Sequence, residues 1–575
     1  MDAPAQLPGF LAAGDADIER VGDRLGTADR VACGPVSLLG WGLAPVPGET
    51  ASLILSRVVR TRTGELPAGE VAAELSARPA ALGRLLPPFA AVRGDESGVT
   101  MVADSMGLRQ LYHGTPGDSA RAVLSTSALL AGESLGAGFD ETAVAVQSQL
   151  GWQLGQRTLR SGIHKLVPGE VAHLGAGGVS TNASGDPVAG PIPFGDAVRQ
   201  AADLLRVSLE ALLDDHPDAV LQLTGGQDSR LLLSAIPPAR RRGLRAMTLG
   251  VVGDGDVAVA DAIASRYGIQ HEVRGLGDLE SVTPSEAWTL AVDAARRLDG
   301  MADPLALAAL NVAEGAFEQG VRISGLGGEV ARGFYYVGKV RDRAYTRKDA
   351  EQLAAWRMFA NESVEADALA PDFGRWAHDA ANASVFDALT AGGPEWFRAT
   401  DELYLRHRMQ RWAGVTDTAV AYQRVVINPM LDESFLMLAA GLAPREKAHS
   451  RFLASLQMAL DSELGRMPLE GRPAPIAFAQ PGPLSSVSRT VSTARKAAKK
   501  VAQRATRGNR APAGGVVMAA RVAEHWRRHP EILGGAPLAP FVSTTWLDAV
   551  LSGRVEPRPS SVAFVTNLVV ASSTV

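Results

Sequence analysis

From residue 30 to about 190, apolar and polar positions change places at short period, the texture of strands. Leu53 to Arg62 mixes the two classes before Gly64, and Phe89-Ala-Ala-Val-Arg93 and Val99-Thr-Met-Val-Ala103 flank a turn at Gly94–Gly98, so the pattern predicts a strand and then a hairpin. Five Gly or Pro residues between Gly185 and Pro193 mark a linker. Beyond it, Val198, Ala202, Leu205, Leu209 and Leu212 recur at helical spacing and predict a helix over Phe194–Asp215. Ala219–Leu223 then reads as a strand, the segment from Ser229 as a helix, Leu244–Gly250 as a strand and Asp256–Tyr267 as a helix. Strands alternating with helices predict a parallel sheet covered on both faces. Helical periodicity dominates from about 300 to 460, and the last hundred residues are less regular.

The chain has 575 residues, enough for several domains, with 46% hydrophobic and 21% charged residues, ordinary globular usage. Fifty-seven Lys and Arg nearly balance 62 Asp and Glu, which argues against a general nucleic-acid binder. No apolar run is long enough for a membrane span, and the acids of the opening segment do not suit a secretory signal. A cytoplasmic protein is expected. The single cysteine, Cys33, excludes an internal disulfide and a cysteine-based metal centre, and reads as a small buried residue. Ser485 to Ala511 carries eight basic residues and no acid. It reads as a solvated basic helix or, functionally, as a cationic lid or docking surface.

The chemistry concentrates in Leu221-Gln-Leu-Thr-Gly-Gly-Gln-Asp-Ser-Arg230. Glycines let backbone approach an anion, and N–H groups at a helix start then point at it. The hydroxyls of Thr224 and Ser229 add donors. Asp228 alone would repel phosphate, so a carboxylate there makes sense as a magnesium ligand. The plainer alternative is a tight strand-to-helix turn capped by Ser or Asp. A Walker lysine is absent, which argues against a P-loop NTPase. With its residues in this order the segment resembles the SGGxDS pyrophosphate loop of the ATP pyrophosphatase superfamily. Thr224 replaces the first Ser, and Arg230 stands where many members have a small polar residue. The resemblance implies cleavage of ATP between the α and β phosphates, with Thr224, Gly225, Gly226, Gln227, Asp228 and Ser229 at the nucleotide.

Further segments narrow the resemblance. Ile323-Ser-Gly-Leu-Gly-Gly-Glu-Val-Ala-Arg-Gly-Phe-Tyr335 is similar to the asparagine synthetase pattern SGxGxDExxGGY, Asn428-Pro-Met-Leu-Asp432 to that family's PFLD stretch, and Asp401-Glu-Leu-Tyr-Leu405 to the helix before it. Phe89 to Asp95, Ala103 to Tyr112, Leu124 to Leu130 and Gly162 to Gly169 resemble class II glutamine amidotransferase segments. The likeness spans about residues 85–460 in one order. It implies an α/β chain in three parts. Residues 1–190 would be an α+β Ntn-like sandwich, a degenerate amidotransferase. Residues 191–470 would be a parallel-sheet ATP pyrophosphatase domain (adenine nucleotide α-hydrolase-like), and 471–575 a C-terminal extension with the basic helix. It also implies that Asp228 and Glu329 hold Mg2+, that Ser229 belongs to the catalytic loop, and that the backbone of Leu223, Leu249 and Gly325 frames the adenosine of ATP.

The departures limit what is inherited. Position 2 is Asp2 and Cys33 lies inside the chain, so the N-terminal cysteine nucleophile is missing and glutamine hydrolysis is not expected. Glu329 replaces the family Asp, and Val330 the Glu that follows it. Where relatives carry a lysine in an RxKxG-like segment, Leu464 to Pro475 has none. Arg466, Arg472, Lys499 or Lys500 could supply that charge. Where lactam-forming relatives place a catalytic tyrosine stands Leu326, and Tyr335 and Tyr336 are expected to pack behind the loop. The expected function is an ATP-dependent ligase that adenylates a small-molecule or peptide carboxylate, which an amine or ammonia then attacks, with a biosynthetic partner protein as one amine source. The alternative is a nucleotide-binding pseudoenzyme or scaffold.

Overall fold

The computed structural model describes residues 7–480 and 514–572, apart from stretches at 23–24, 26–27, 49–50, 116–120, 184–188, 251–253, 276, 316–319 and 361. Asp2, the basic segment 485–511 and with it Lys499 and Lys500 lie outside the described residues.

The first part is built from two antiparallel sheets. One has six strands in the order Ile163–Lys165, Tyr112–Gly114, Val123–Ser125, Gly9–Ala13, Val36–Trp41, Ala28–Cys33. The other has five, Gly178–Ala183, Glu170–Gly175, Gly98–Ala103, Ala90–Asp95, Ser52–Ile54. Their facing sides share one apolar cluster: Phe10, Ala12 and Leu38 from the first meet Leu53, Val92 and Met101 from the second. Both outer faces are covered too. Leu11, Ala13 and Leu39 pack with helices, including Pro284–Arg297. Ala91 and Val102 pack with Val71 and Leu75 of the helix Ala68–Ala77. This explains why Gly9–Ala13 carries no polar alternation: all five residues are buried. The expected hairpin forms, with Ala90 opposite Ala103 and Asp95 opposite Gly98. The Asp95 carboxylate accepts the Ser97 N–H at 2.8 Å, an Asx turn. At Gly98 φ is +138°, and a Cβ would lie 2.0 Å from the Leu174 carbonyl oxygen.

The second part holds a parallel sheet in the order Gln270–Arg274, Arg245–Leu249, Val220–Gln222, Arg322–Ile323, Val426–Ile427. The helix Phe194–Asp215 forms over the expected span, and its stripe Val198, Ala202, Leu205, Leu209, Leu212 is buried. The molecule is thus mixed α/β, antiparallel first and parallel after. Among the described residues no helix is long and apolar enough to cross a membrane.

Three sequence readings shift. Leu53–Arg62 is not one strand but Ser52–Ile54 and Arg60–Thr61. Ser56 bonds the Pro88 carbonyl at 3.0 Å and buried Arg60 pairs with Asp215 at 3.1 Å, so the chain leaves the sheet edge between them. The helix after the glycine turn opens at Gln227 instead of Ser229. The last sixty described residues form the helices Gly515–Arg528, Thr544–Leu551 and Pro559–Ser572. The third of these is buried all round against Pro284–Arg297 and its neighbours, so it presents no amphipathic pattern to read.

Candidate functional site

In the parallel sheet the chain steps from Val220–Gln222 outward to Arg245–Leu249 on one side, and later resumes at Arg322–Ile323 on the other. Loops leaving neighbouring strands in opposite directions open a crevice at the carboxyl ends of the strands. Residues 223–229 follow the first strand and 324–329 the second, so the two segments singled out in the sequence line one crevice.

The first loop is folded by its own hydroxyls. Ser229 Oγ accepts the Thr224 N–H at 3.1 Å and lies 3.1 Å from Thr224 Oγ1, which accepts the Gly226 N–H at 3.1 Å. The two hydroxyls expected to face an anion therefore shape the loop first. Gly226, extended at φ −73° and ψ 178°, caps the helix Gln227–Ala235. Gln227 is buried, and neither polar atom of its side chain has a partner. Leu223 is buried, with its N–H on the Met247 carbonyl and its carbonyl accepting the Thr248 hydroxyl. Leu249 ends its strand with its side chain 42% exposed at the crevice edge. Gly325 has to be glycine: a Cβ would lie 2.9 Å from the Ser229 nitrogen and 3.1 Å from the Asp228 Cβ.

Asp228 and Glu329 converge. Arg332 Nη2 stands 3.2 Å from Asp228 Oδ2 and 2.9 Å from Glu329 Oε1, so these oxygens are no more than about 6 Å apart. The other oxygen of each, Asp228 Oδ1 and Glu329 Oε2, is buried with no hydrogen-bond partner. Burial pushes the Asp228 carboxyl up to about 7 and Glu329 adds to the shift, while Arg332 and Arg472 oppose it. The carboxylate lies against Gly328, where a Cβ would come within 2.3 Å of Asp228 Oδ1. Two hard oxygens left without partners suit a divalent cation that takes the rest of its shell from phosphate and water. Among the described residues no third acid, histidine or cysteine joins them.

A strap crosses the loop. The buried Arg230 guanidinium bonds the carbonyls of Met467 at 2.6 Å and Pro468 at 2.9 Å, and the Glu470 N–H bonds the Gly225 carbonyl at 3.0 Å. A Cβ on Gly225 would meet Glu470 Cβ at 2.8 Å and Asp256 Oδ1 at 2.9 Å. The strap brings Arg472 near enough for its charge to act on Asp228 and Arg332. Arg466, the other arginine considered, is exposed and bonded to Ser462.

Behind the second loop, the Tyr336 hydroxyl donates to Asp401 Oδ2 at 2.7 Å, and buried Lys447 pairs with the same oxygen. Tyr335 is buried with its hydroxyl lacking a partner. Both tyrosines pack behind the loop, as expected. Arg332, Glu470 and Lys447 were not foreseen. Arg332 stands at a position the SGxGxDExxGGY pattern leaves unspecified, just before Gly333, so the pattern gave no signal for it. Cys33 is buried within the sandwich, and burial raises its thiol. No model of a known protein family matches the chain, and no curated protein matches it.

Proposed function

We propose that the chain is an ATP-dependent carbon–nitrogen ligase of the asparagine synthetase kind, with an Ntn-like sandwich that no longer hydrolyses glutamine and an ATP pyrophosphatase-like second part. One observation carries the reading: Asp228 and Glu329, from two loops that flank a strand-order reversal, reach one cation between them and each keeps a buried oxygen in reserve. The buried Cys33 supports the loss of glutaminase chemistry.

A carboxylate resists nucleophiles because of its charge. In the proposed reaction its oxygen bonds to the α-phosphorus of ATP, pyrophosphate leaves, an amine nitrogen attacks the acyl carbon, and AMP departs as the nitrogen loses a proton. The amino end of Gln227–Ala235 turns its positive dipole toward the departing pyrophosphate. Asp228 and Glu329 would hold Mg2+, which neutralises phosphate charge when bound. Arg472, fixed by the strap, supplies positive charge in place of the family lysine. Arg230 holds that strap.

The test is ATP–pyrophosphate exchange over a library of carboxylates, with mass detection once amines are added. AMP and pyrophosphate are the expected products. ADP with orthophosphate would reject the reading. Exchange is expected to fall by about tenfold or more in Arg472→Met and to stay near wild type in Arg466→Met. A specific observation favours a second reading, a nucleotide-binding pseudoenzyme. Arg332 already pairs with both acids, and Glu470 closes over the glycine turn, its N–H on the Gly225 carbonyl and its Cβ against Gly225. ATP binding by calorimetry without exchange on any carboxylate would establish it.

A further inference from the structure

A second polar centre lies far from the phosphate loop, where the antiparallel sandwich meets the helices of the second part. A cavity of about 40 Å³ opens there, walled on its apolar side by Leu7, Trp41 and Leu55 and on its polar side by Arg109, Arg296 and Arg297. Arg109 is 5% exposed, yet its Nε and Nη1 have no hydrogen-bond partner, and the Nε atoms of Arg296 and Arg297 are likewise buried and unpaired. A guanidinium carries five donors and cannot shed its charge. Leaving several of them dry and unmatched costs far more than a neutral group would.

The acids nearby do not resolve this. Asp299 lines the cavity, but its Oδ1 takes the Ser127 hydroxyl at 2.6 Å and the Leu129 N–H at 3.2 Å. Asp417 acts on Arg109 from a neighbouring cleft and does not line this cavity. Arg296 has Asp293 at 4.0 Å outside the cavity, which leaves Arg109 and Arg297 facing one carboxylate that is already engaged. The hydroxyls of Thr126, Thr418 and Tyr422 at the wall bond backbone carbonyls.

We infer that this cavity is a binding site for a small carboxylate, one oxygen of which takes a free donor of Arg109 while its short apolar end meets Trp41 and Leu55. Size sets the class. At roughly 10–15 Å³ per water-sized group, the space admits a carboxylate of two carbons and excludes a nucleotide. Nε and Nη1 lie on different edges of the guanidinium, so a carboxylate meets a single free donor of Arg109 in a charge-assisted bond. The site is independent of ATP chemistry and stands or falls separately from the proposed ligase activity.

Acetate labelled with 13C, followed by 13C NMR on the full chain and displaced with unlabelled acetate, is the probe. Its resonance is expected to broaden with wild-type protein and to recover with excess unlabelled acetate but not with acetamide, the neutral isostere. Arg109→Gln should weaken binding at least tenfold, and Arg109→Lys should retain part of it. Leu55→Phe, which fills the cavity from its apolar wall and leaves Arg109 in place, should abolish the broadening even if Arg109→Gln folds poorly. Equal broadening in Leu55→Phe, displacement by acetamide as readily as by acetate, or no saturable binding to wild type would overturn the assignment.

Discussion

Two buried aspartates divide the molecule between them. In the sandwich, Asp104 is wholly buried and its carboxylate accepts four backbone N–H groups, from Phe89 and Arg109 on Oδ2 and from Met106 and Leu108 on Oδ1, all at 3.0–3.3 Å. In the parallel-sheet part, Asp228 shares one arginine nitrogen and leaves Oδ1 unmatched. The first carboxylate completes a structure, and the second keeps an oxygen without a partner. A satisfied buried charge marks architecture and an unsatisfied one marks chemistry.

Exchanging each for alanine should separate the two roles. Asp228→Ala is expected to lower ATP–pyrophosphate exchange by about a thousandfold or more, with urea unfolding unchanged or slightly strengthened, because a carboxylate short of partners is lost. Asp104→Ala should do the reverse in kind: it strands four buried donors and costs about 4 kcal/mol, read as a lower urea midpoint. If Asp228→Ala destabilises as much as Asp104→Ala, the contrast collapses. A smaller effect, about 2 kcal/mol, is expected for Arg230→Met, which removes two charge-assisted bonds to the strap. Limited proteolysis near Met467 should quicken, and the KM for ATP should rise.

The seam between the parts should give the mildest signature. Burial raises Asp299 to about 6, against opposing bonds from Ser127, Leu129 and Tyr112, with Arg411 nearby. An acid whose folded pKa is raised binds its proton more tightly in the folded state. Its contribution is therefore full below the unfolded value and is lost as pH rises from about 4 to about 6. Asp299→Asn should flatten the fall in stability over that window by about 2 kcal/mol, measured as the difference in unfolding free energy between its two ends.

Legibility followed range. The hairpin at Ala90–Ala103 and the helix Phe194–Asp215 were plain because turn residues and a 3.6-residue stripe are local signals. Both loops of the crevice were found by their residues, and the sheet order placed them together. The strap was not legible. Leu464–Arg472 has no periodicity, and the carbonyls of Met467 and Pro468 are bonded by a guanidinium more than 230 residues earlier. Arg332 passed unnoticed because a charged residue in a glycine-rich turn reads as exposed, until Asp228 arrives from another strand. The buried helix Pro559–Ser572 lacked a polar face to announce it.

The strap also dictates when the pocket comes into being. Synthesis proceeds from the amino end, so the glycine turn at Gly225 leaves the ribosome long before Met467, Pro468 and Glu470 exist to close over it. A nascent chain of some 460 residues carries the turn and both acids but neither the cover nor Arg472, and the proposed nucleotide site is completed only by the last stretch of the second part to be translated.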